Sequence, residues 1–209
     1  MVGAMARLIE PVDSDNRVVE AKTDPQALGD LYDRYYGPVL RFCVHRLFDK
    51  TDAEDVVSVV FLAVAEGIRS FPGRTEQDFR NWVYAIAANH CNAHIRKVST
   101  RRRLLARAAQ ARTDALGDEP TGDYPDWPEL YQAIRRLKPR HQTIVTLRFF
   151  EGLGYDEIAA ITGTTPQAAR VALHRALKKL RKLLNVTRAS CPRKKEAWPS
   201  QPCNHHEPE

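Results

Sequence analysis

Apolar residues recur at three- and four-residue steps along most of this chain, and strand-like alternation is nearly absent. Asp24-Pro25 opens the first such pattern. Leu28, Leu31, Tyr32, Tyr35, Val39, Leu40, Cys43 and Leu47 trace one helical stripe, which Gly37-Pro38 is expected to bend or break. A second stripe, Val56, Val57, Val60, Phe61, Val64 and Ile68, follows Thr51, which forms a T-x-x-E capping box with Glu54. Phe71-Pro72-Gly73 ends it, and a polar, turn-like stretch follows. A third helix is expected from about Asp78 towards Arg103, with Phe79, Trp82, Val83, Ile86, Ala87 and Ile95 on its apolar side. The fold class read from these periods is all-α.

Composition then changes. Residues 104–127 pass from Ala/Arg-rich to Gly/Asp/Pro-rich through Gly117-Asp118-Glu119-Pro120-Thr121-Gly122, a linker composition. Four shorter helices are expected beyond it, at Pro128–Leu137, Pro139–Phe150, Tyr155–Thr162 and Pro166–Leu184. The chain therefore reads as two small helical domains, 24–103 and 128–186, joined by a flexible linker. A loose arm is expected at 1–23 and a basic Cys/His-containing tail at 187–209.

Charge sharpens the picture more by its distribution than by the net +6. The first eighty residues are net acidic. His90–Thr113 then carries seven basic residues and no acidic one, and Ile158–Lys195 carries ten and none. Two such blocks point to polyanion contacts rather than to ordinary solvated helix faces. The four cysteines form no regular framework, which suits a reducing cytoplasm. No signal-peptide core and no run of about 20 apolar residues stands out, so membrane insertion is not expected.

Tyr155–Leu180 has the form of a helix-turn-helix. Gly163 stands where the turn needs a permissive backbone, Ala159 is small where two helices approach, Thr165 can cap and Pro166 suits a first turn. On the second helix, Ala169, Leu173, Ala176, Leu177, Leu180 and Leu184 face a core. Gln167, Arg170, Val171, His174 and Lys178 lie opposite, with Arg175 and Lys179 available for phosphates. Gln167 and Arg170 have the chemistry to read adenine and guanine edges. The third helix adds amides, aromatics and a basic end: Asn81, Tyr84, Asn89, Arg96 and Lys97, a set suited to melted single strands. No G-x-x-x-x-G-K-[ST] loop occurs, and His90-Cys-Asn-Ala-His94 lacks the glutamate of a zinc protease. Neither an enzyme nor a cofactor is expected. Cys191, Cys203, His205 and His206 are the metal-ligand types of the tail, but their spacing is not that of a zinc finger, so no metal site is assigned.

Five segments in order resemble the extracytoplasmic-function subgroup of the sigma-70 family. They are Thr51-Asp-Ala-Glu-Asp-Val-Val, Phe79-Arg-Asn-Trp-Val-Tyr-Ala-Ile-Ala-Ala-Asn89, Leu137-Lys-Pro-Arg-His-Gln, Arg148-Phe-Phe-Glu-Gly-Leu-Gly-Tyr-Asp-Glu-Ile-Ala160 and Leu173-His-Arg-Ala-Leu-Lys-Lys-Leu180. The resemblance spans about Asp24–Leu184. It implies a promoter-specificity subunit of RNA polymerase whose core contact (the β′ clamp helices) uses Asp52, Glu54, Asp55 and Ser58. The loop Phe71–Gln77 and the following helix would take the −10 element, and the helix-turn-helix the −35 element. The β flap and an anti-sigma factor are further implied partners. Ser58-Val59 replaces the family's usual Gln-Glu, Gly154 its helix-opening Ser, and Ala168-Ala169 its Thr-Val. Two other readings use the same residues: a stand-alone helix-turn-helix repressor, and a regulator gated by metal at the Cys/His tail.

Overall fold

The computed structural model describes residues 11–110 and 128–190, where every regular element is helical. Helices α1 (Pro11–Glu20), α2 (Pro25–Leu47), α3 (Lys50–Gly67) and α4 (Glu76–Gln110) make the first domain, with a 3-10 turn at Ile68–Ser70. Helices α5 (Pro128–Arg135), α6 (Pro139–Phe149), α7 (Tyr155–Thr162) and α8 (Pro166–Ser190) make the second.

The expected loose arm is corrected over residues 11–20, which form α1. Val18 is fully buried, Arg17 pairs with Asp30 at 3.0 Å, and Lys22 Nζ donates to the Gly73 carbonyl at 2.8 Å. α2 begins at a capped turn, in which the Gln26 N–H donates to Asp24 Oδ1 with Pro25 at the first position. The expected break at Gly37-Pro38 does not occur, and α2 runs through Pro38. The missing ladder bond is tolerated because Leu31 and Tyr35 before it, and Val39, Phe42 and Cys43 after it, are all buried. Each fully buried aliphatic or aromatic side chain contributes about 1.5–3 kcal/mol, so packing outweighs one lost hydrogen bond.

α2 ends at Phe48, whose φ of 57° is the only left-handed non-glycine backbone among the described residues. Its ring meets Tyr131 of α5 edge-on at 5.2 Å, so the second domain helps hold a conformation that costs a side-chain-bearing residue about 1–2 kcal/mol. The cap of α3 is Asp49, not Thr51: Asp49 Oδ1 accepts from the Asp52 N–H at 2.9 Å, two residues earlier than the capping box implied. α4 continues past the expected end at 103 to Gln110. The buried residues of α4 run from Phe79 to Cys91, and Arg101–Leu105 are exposed, so its second half leaves the core. α8 likewise continues to Ser190.

The two domains share one continuous core. α6 packs on α2 and α7 on α4. The linker expected at 104–127 lies outside the described residues beyond Gln110, as do the tail ligands Cys191, Cys203, His205 and His206.

Candidate nucleic-acid interface

On α3, the polar edge is built as the sequence suggests. Glu54, Asp55 and Ser58 are exposed, alongside two exposed apolar residues, Val59 and Leu62. Asp52 differs: it is half-buried and bonded at 3.0 Å to His94 Nε2 of α4.

The segment before α4 is rigidly made. Phe71 is buried and stacks on Trp82 at 4.5 Å with an 18° interplanar angle, while Phe79 meets both rings edge-on. Gly73 is required here, since a Cβ would lie 2.3 Å from Phe71 Cζ and 2.6 Å from Asp78 Cβ. Thr75 and Asp78 cap α4 reciprocally. The Asp78 N–H donates to Thr75 Oγ1, and Asp78 Oδ2 accepts from the N–H groups of Arg74 and Thr75. The hydrogen bonds from Thr75 and Arg74 hold the Asp78 carboxyl below its ordinary range. Asp15, in α1, accepts from the Glu76 N–H at 2.7 Å.

The residues assigned to single-strand contact on α4 fall into two groups. Asn89, Arg96 and Lys97 are exposed, and Asn81 is half-buried, accepting from Gln77 Nε2 at 2.9 Å. Tyr84 is buried, and its hydroxyl donates to Glu151 Oε2 of the second domain at 2.8 Å. Burial raises the pKa of both partners; for Glu151 the Tyr84 bond and Arg41 offset part of that rise.

Two residues that sequence reading missed hold this contact together. Arg80, one turn before Tyr84, pairs with Glu157 of α7. Arg46 of α2 is 1% exposed and donates to Asn92 Oδ1 at 2.6 Å, to the Pro139 carbonyl at 3.2 Å, to Thr143 Oγ1 at 3.3 Å and to Gln142 Oε1. These acceptors are all neutral. Burial lowers the Arg46 pKa to about 10, which leaves the guanidinium charged at neutral pH. Its position on the apolar stripe of α2, one turn after Phe42 and Cys43, was the signal that could have marked it.

The helix-turn-helix closes as its sequence dictates. Gly163 ends α7 at φ 61°, the Gly154 N–H donates to Glu157 Oε2 at 2.7 Å, and Thr165 Oγ1 accepts from the Ala168 N–H. Ala169, Leu173, Ala176 and Leu180 are buried, but Leu177 is 39% exposed, against its expected core position. Gln167, Arg170, Val171, His174, Arg175 and Lys178 are all exposed on one face. The Arg170 guanidinium sits 5.0 Å over the Tyr155 ring, which steadies it. Burial, and after it the cations Lys138, Lys179, Arg140 and Arg175, lower the pKa of His141.

Comparison with known proteins agrees with this layout. The family model for sigma-70 region 2 matches residues 31–110, and that for sigma-70 region 4 matches 128–180. The chain is 34% identical over 166 residues to the RNA polymerase sigma factor CarQ of Myxococcus xanthus, covering 76% of this chain and 89% of that one. It is 32% identical over 185 residues to the ECF RNA polymerase sigma factor BldN of Streptomyces coelicolor, covering 86% of this chain and 66% of that one. Its fold is similar to that of CnrH, solved in complex with the cytosolic domain of CnrY, with a TM-score of 0.59 at 22% identity over 83% of this chain and 97% of that one.

Proposed function

We propose how the work is divided in a chain that belongs to the sigma-70 family of RNA polymerase sigma factors, in its extracytoplasmic-function subgroup. The chain binds RNA polymerase core and directs promoter-specific transcription initiation. In our reading the α3 edge docks on the β′ clamp helices through Glu54, Asp55 and Ser58, with Val59 and Leu62 as the apolar part of the contact. The cap and loop at 71–78, with Asn81, Tyr84, Asn89, Arg96 and Lys97, take the melted −10 strand. The α8 face, with Gln167, Arg170, Val171, His174, Arg175 and Lys178, reads the −35 element, and the second domain meets the β flap. Promoter DNA, core polymerase and an anti-sigma factor are then the partners, and the cytoplasm the place of action. The protein contributes specificity and leaves catalysis to the polymerase.

The observation that carries this division is the exposure of an acidic, apolar-edged face on α3 in a domain whose other end presents cations and amides. Charge reversal of Glu54 and Asp55 should weaken capture of core polymerase at least tenfold, about 1.4 kcal/mol or more, while circular dichroism stays that of the parent. Undiminished capture moves the docking surface elsewhere.

A further inference from the structure

Side chains of α1 and of the turn after it converge on the loop at 71–78. Asp15 accepts from the Glu76 N–H at 2.7 Å, Lys22 Nζ donates to the Gly73 carbonyl at 2.8 Å, and the same ammonium sits 5.7 Å from the centre of the Phe71 ring. Asp15, Val18 and Lys22 follow one another at three and four residues, the spacing of one helical face, and Val18 is fully buried. Arg17 anchors α1 on α2 through Asp30. All four residues lie ahead of 31–110, the span that is similar to sigma-70 region 2.

We propose that α1 is a brace for the −10 loop, with Asp15 and Lys22 as positioning residues that set the shape of the loop before a strand arrives. The proposal rests on the reading that the loop and the start of α4 take the melted strand.

Glu76 opens α4, so its N–H lies outside the helix's own ladder of hydrogen bonds. A carboxylate there satisfies that donor and complements the positive end of the helix. This bond and the ammonium bond to Gly73 are both charge-assisted, and such bonds are about twice as strong as neutral ones. From the other side, α2 holds the Glu76 carboxylate through Arg34 at 2.6 Å and the Tyr35 hydroxyl at 3.0 Å. The inner side of the loop is thus fastened at Phe71, Gly73 and Glu76, while Pro72, Arg74, Thr75 and Gln77 are exposed. Asp15 and Lys22 spend their polar atoms on the loop's backbone, so they shape it and leave contact with bases to its outer side. A loop fixed in advance spares a strand the entropy cost of ordering it. α1 packs on α2 and α4, whereas core docking is assigned to α3. Loosening the brace should therefore act on strand capture and spare the core contact.

The test uses holoenzyme reconstituted from the full chain and core polymerase, on a linear promoter selected from a randomised duplex library for transcription by the parent. Asp15→Ala with Lys22→Met removes the acceptor and the donor while an apolar stem stays on Phe71. Asp15→Asn with Lys22→Arg keeps both. Permanganate reads strand opening, pulldown reads core capture, and amide exchange on the free chain reads the loop at 74–78. For the first pair we expect faster exchange at 74–78, unchanged core capture, and opening lower by about tenfold, the scale of one charge-assisted hydrogen bond lost. The conservative pair should open the promoter as the parent does. Unchanged exchange in the first pair overturns the brace. Equal losses of core capture and opening make α1 a support of the whole domain and overturn it too. So does a loss in the conservative pair as large as in the first. Opening that is undiminished while exchange quickens also overturns it, and Arg74→Ala with Gln77→Ala tells why. Normal opening in that variant means that the loop does not take the strand; impaired opening means that the loop takes it without needing a brace. Should the first pair fail to fold by circular dichroism, Lys22→Met alone, which leaves the Asp15 cap in place, is read in the same way.

Discussion

The two faces assigned above to nucleic acid stand in opposite states within one compact arrangement. Along α8, Gln167, Arg170, Val171, His174, Arg175 and Lys178 are all exposed, and burial, helped by the cations around it, holds the nearby His141 towards its neutral form. Along the first half of α4, Tyr84 is 4% exposed and is bonded to a carboxylate of the other domain. Both faces belong to helices with an apolar stripe on one side and polar groups on the other. They differ in what lies across from the polar side: solvent for α8, and α7 with the loop before it for α4. On the assignment proposed above, the residues meant for duplex DNA are open to solvent in this arrangement, whereas Tyr84 of the single-strand set is not.

Removing the node that joins the domains is the most direct way to break the asymmetry, and it has the largest expected effect. Arg46→Met keeps much of the side-chain length but leaves the Gln142, Asn92, Thr143 and Pro139 oxygens without their cationic donor. Hydrogen bonds to charged groups contribute about 1.5–3 kcal/mol each, and the group that loses its partner bears the desolvation cost. Not all of these will be lost in full, since water can enter, and a net destabilisation of roughly 3 kcal/mol is expected. Urea unfolding should also change from one shared transition to two, as the domains lose their common core. A single transition with a loss below about 1 kcal/mol would mean that apolar packing, not Arg46, joins the domains.

The same contrast explains what the sequence could tell. The helices and the turn at Gly163 were legible because periodicity and caps are local, and the exposed set on α8 was legible because it lies opposite an unbroken apolar stripe. Pro38 was read as a breaker because local rules see the missing donor but not the buried Tyr35, Val39 and Phe42 that hold both sides in place. α1 was missed because its burial depends on Val18 and on long-range bonds such as Asp15 to Glu76, which leave no periodic trace. Leu177 fits the stripe by spacing, yet it is 39% exposed in the domain as packed. The partners of Arg46 and Arg80 could not be assigned because Gln142 and Glu157 come from the other domain, 96 and 77 residues away. Chemistry that belongs to a face was visible, and chemistry made by two faces meeting was not.

On the open face, the comparison is sharpened by separating reading from holding. Arg170, steadied over Tyr155, has the fork geometry for a guanine edge, and Arg170→Ala should cost about 1–3 kcal/mol at one base position while relaxing the preference there. Lys178→Ala should weaken binding at all sequences about equally and lower the salt slope by about one unit. A panel of single-base variants of the upstream element, read at two salt concentrations, separates the two. A uniform loss for Arg170→Ala would make it a phosphate contact and pass the reading role to Gln167 or His174.

The smallest expected effect is a pH dependence of the covered face, and its sign comes from two groups that oppose each other. His45 of α2 lies 4.2 Å from the Phe150 ring of the second domain, and burial, with the nearby Arg41, lowers its pKa from 6.5. A histidine with a lowered pKa favours closure above its ordinary value and withdraws that support as pH falls through the lowered one. Glu151, facing Tyr84 and Arg41, has its pKa raised from 4.5, chiefly by burial. A carboxyl with a raised pKa does not oppose closure while both states are protonated. It opposes closure increasingly as pH rises from 4.5 through the raised value, and at neutral pH its full penalty is present. Lowering the pH from 7.5 should therefore have two opposed effects, a loosening of the domains as His45 takes a proton and a tightening as Glu151 does. His45 is half-exposed to solvent, so its part should amount to well under about 1 kcal/mol. Scattering across pH 7.5 to 4.5 reads the balance in the radius of gyration. His45→Gln should leave only the tightening on acidification, whereas Glu151→Gln should leave only the loosening. A pH response that survives both substitutions would place the titration outside the contact between the domains.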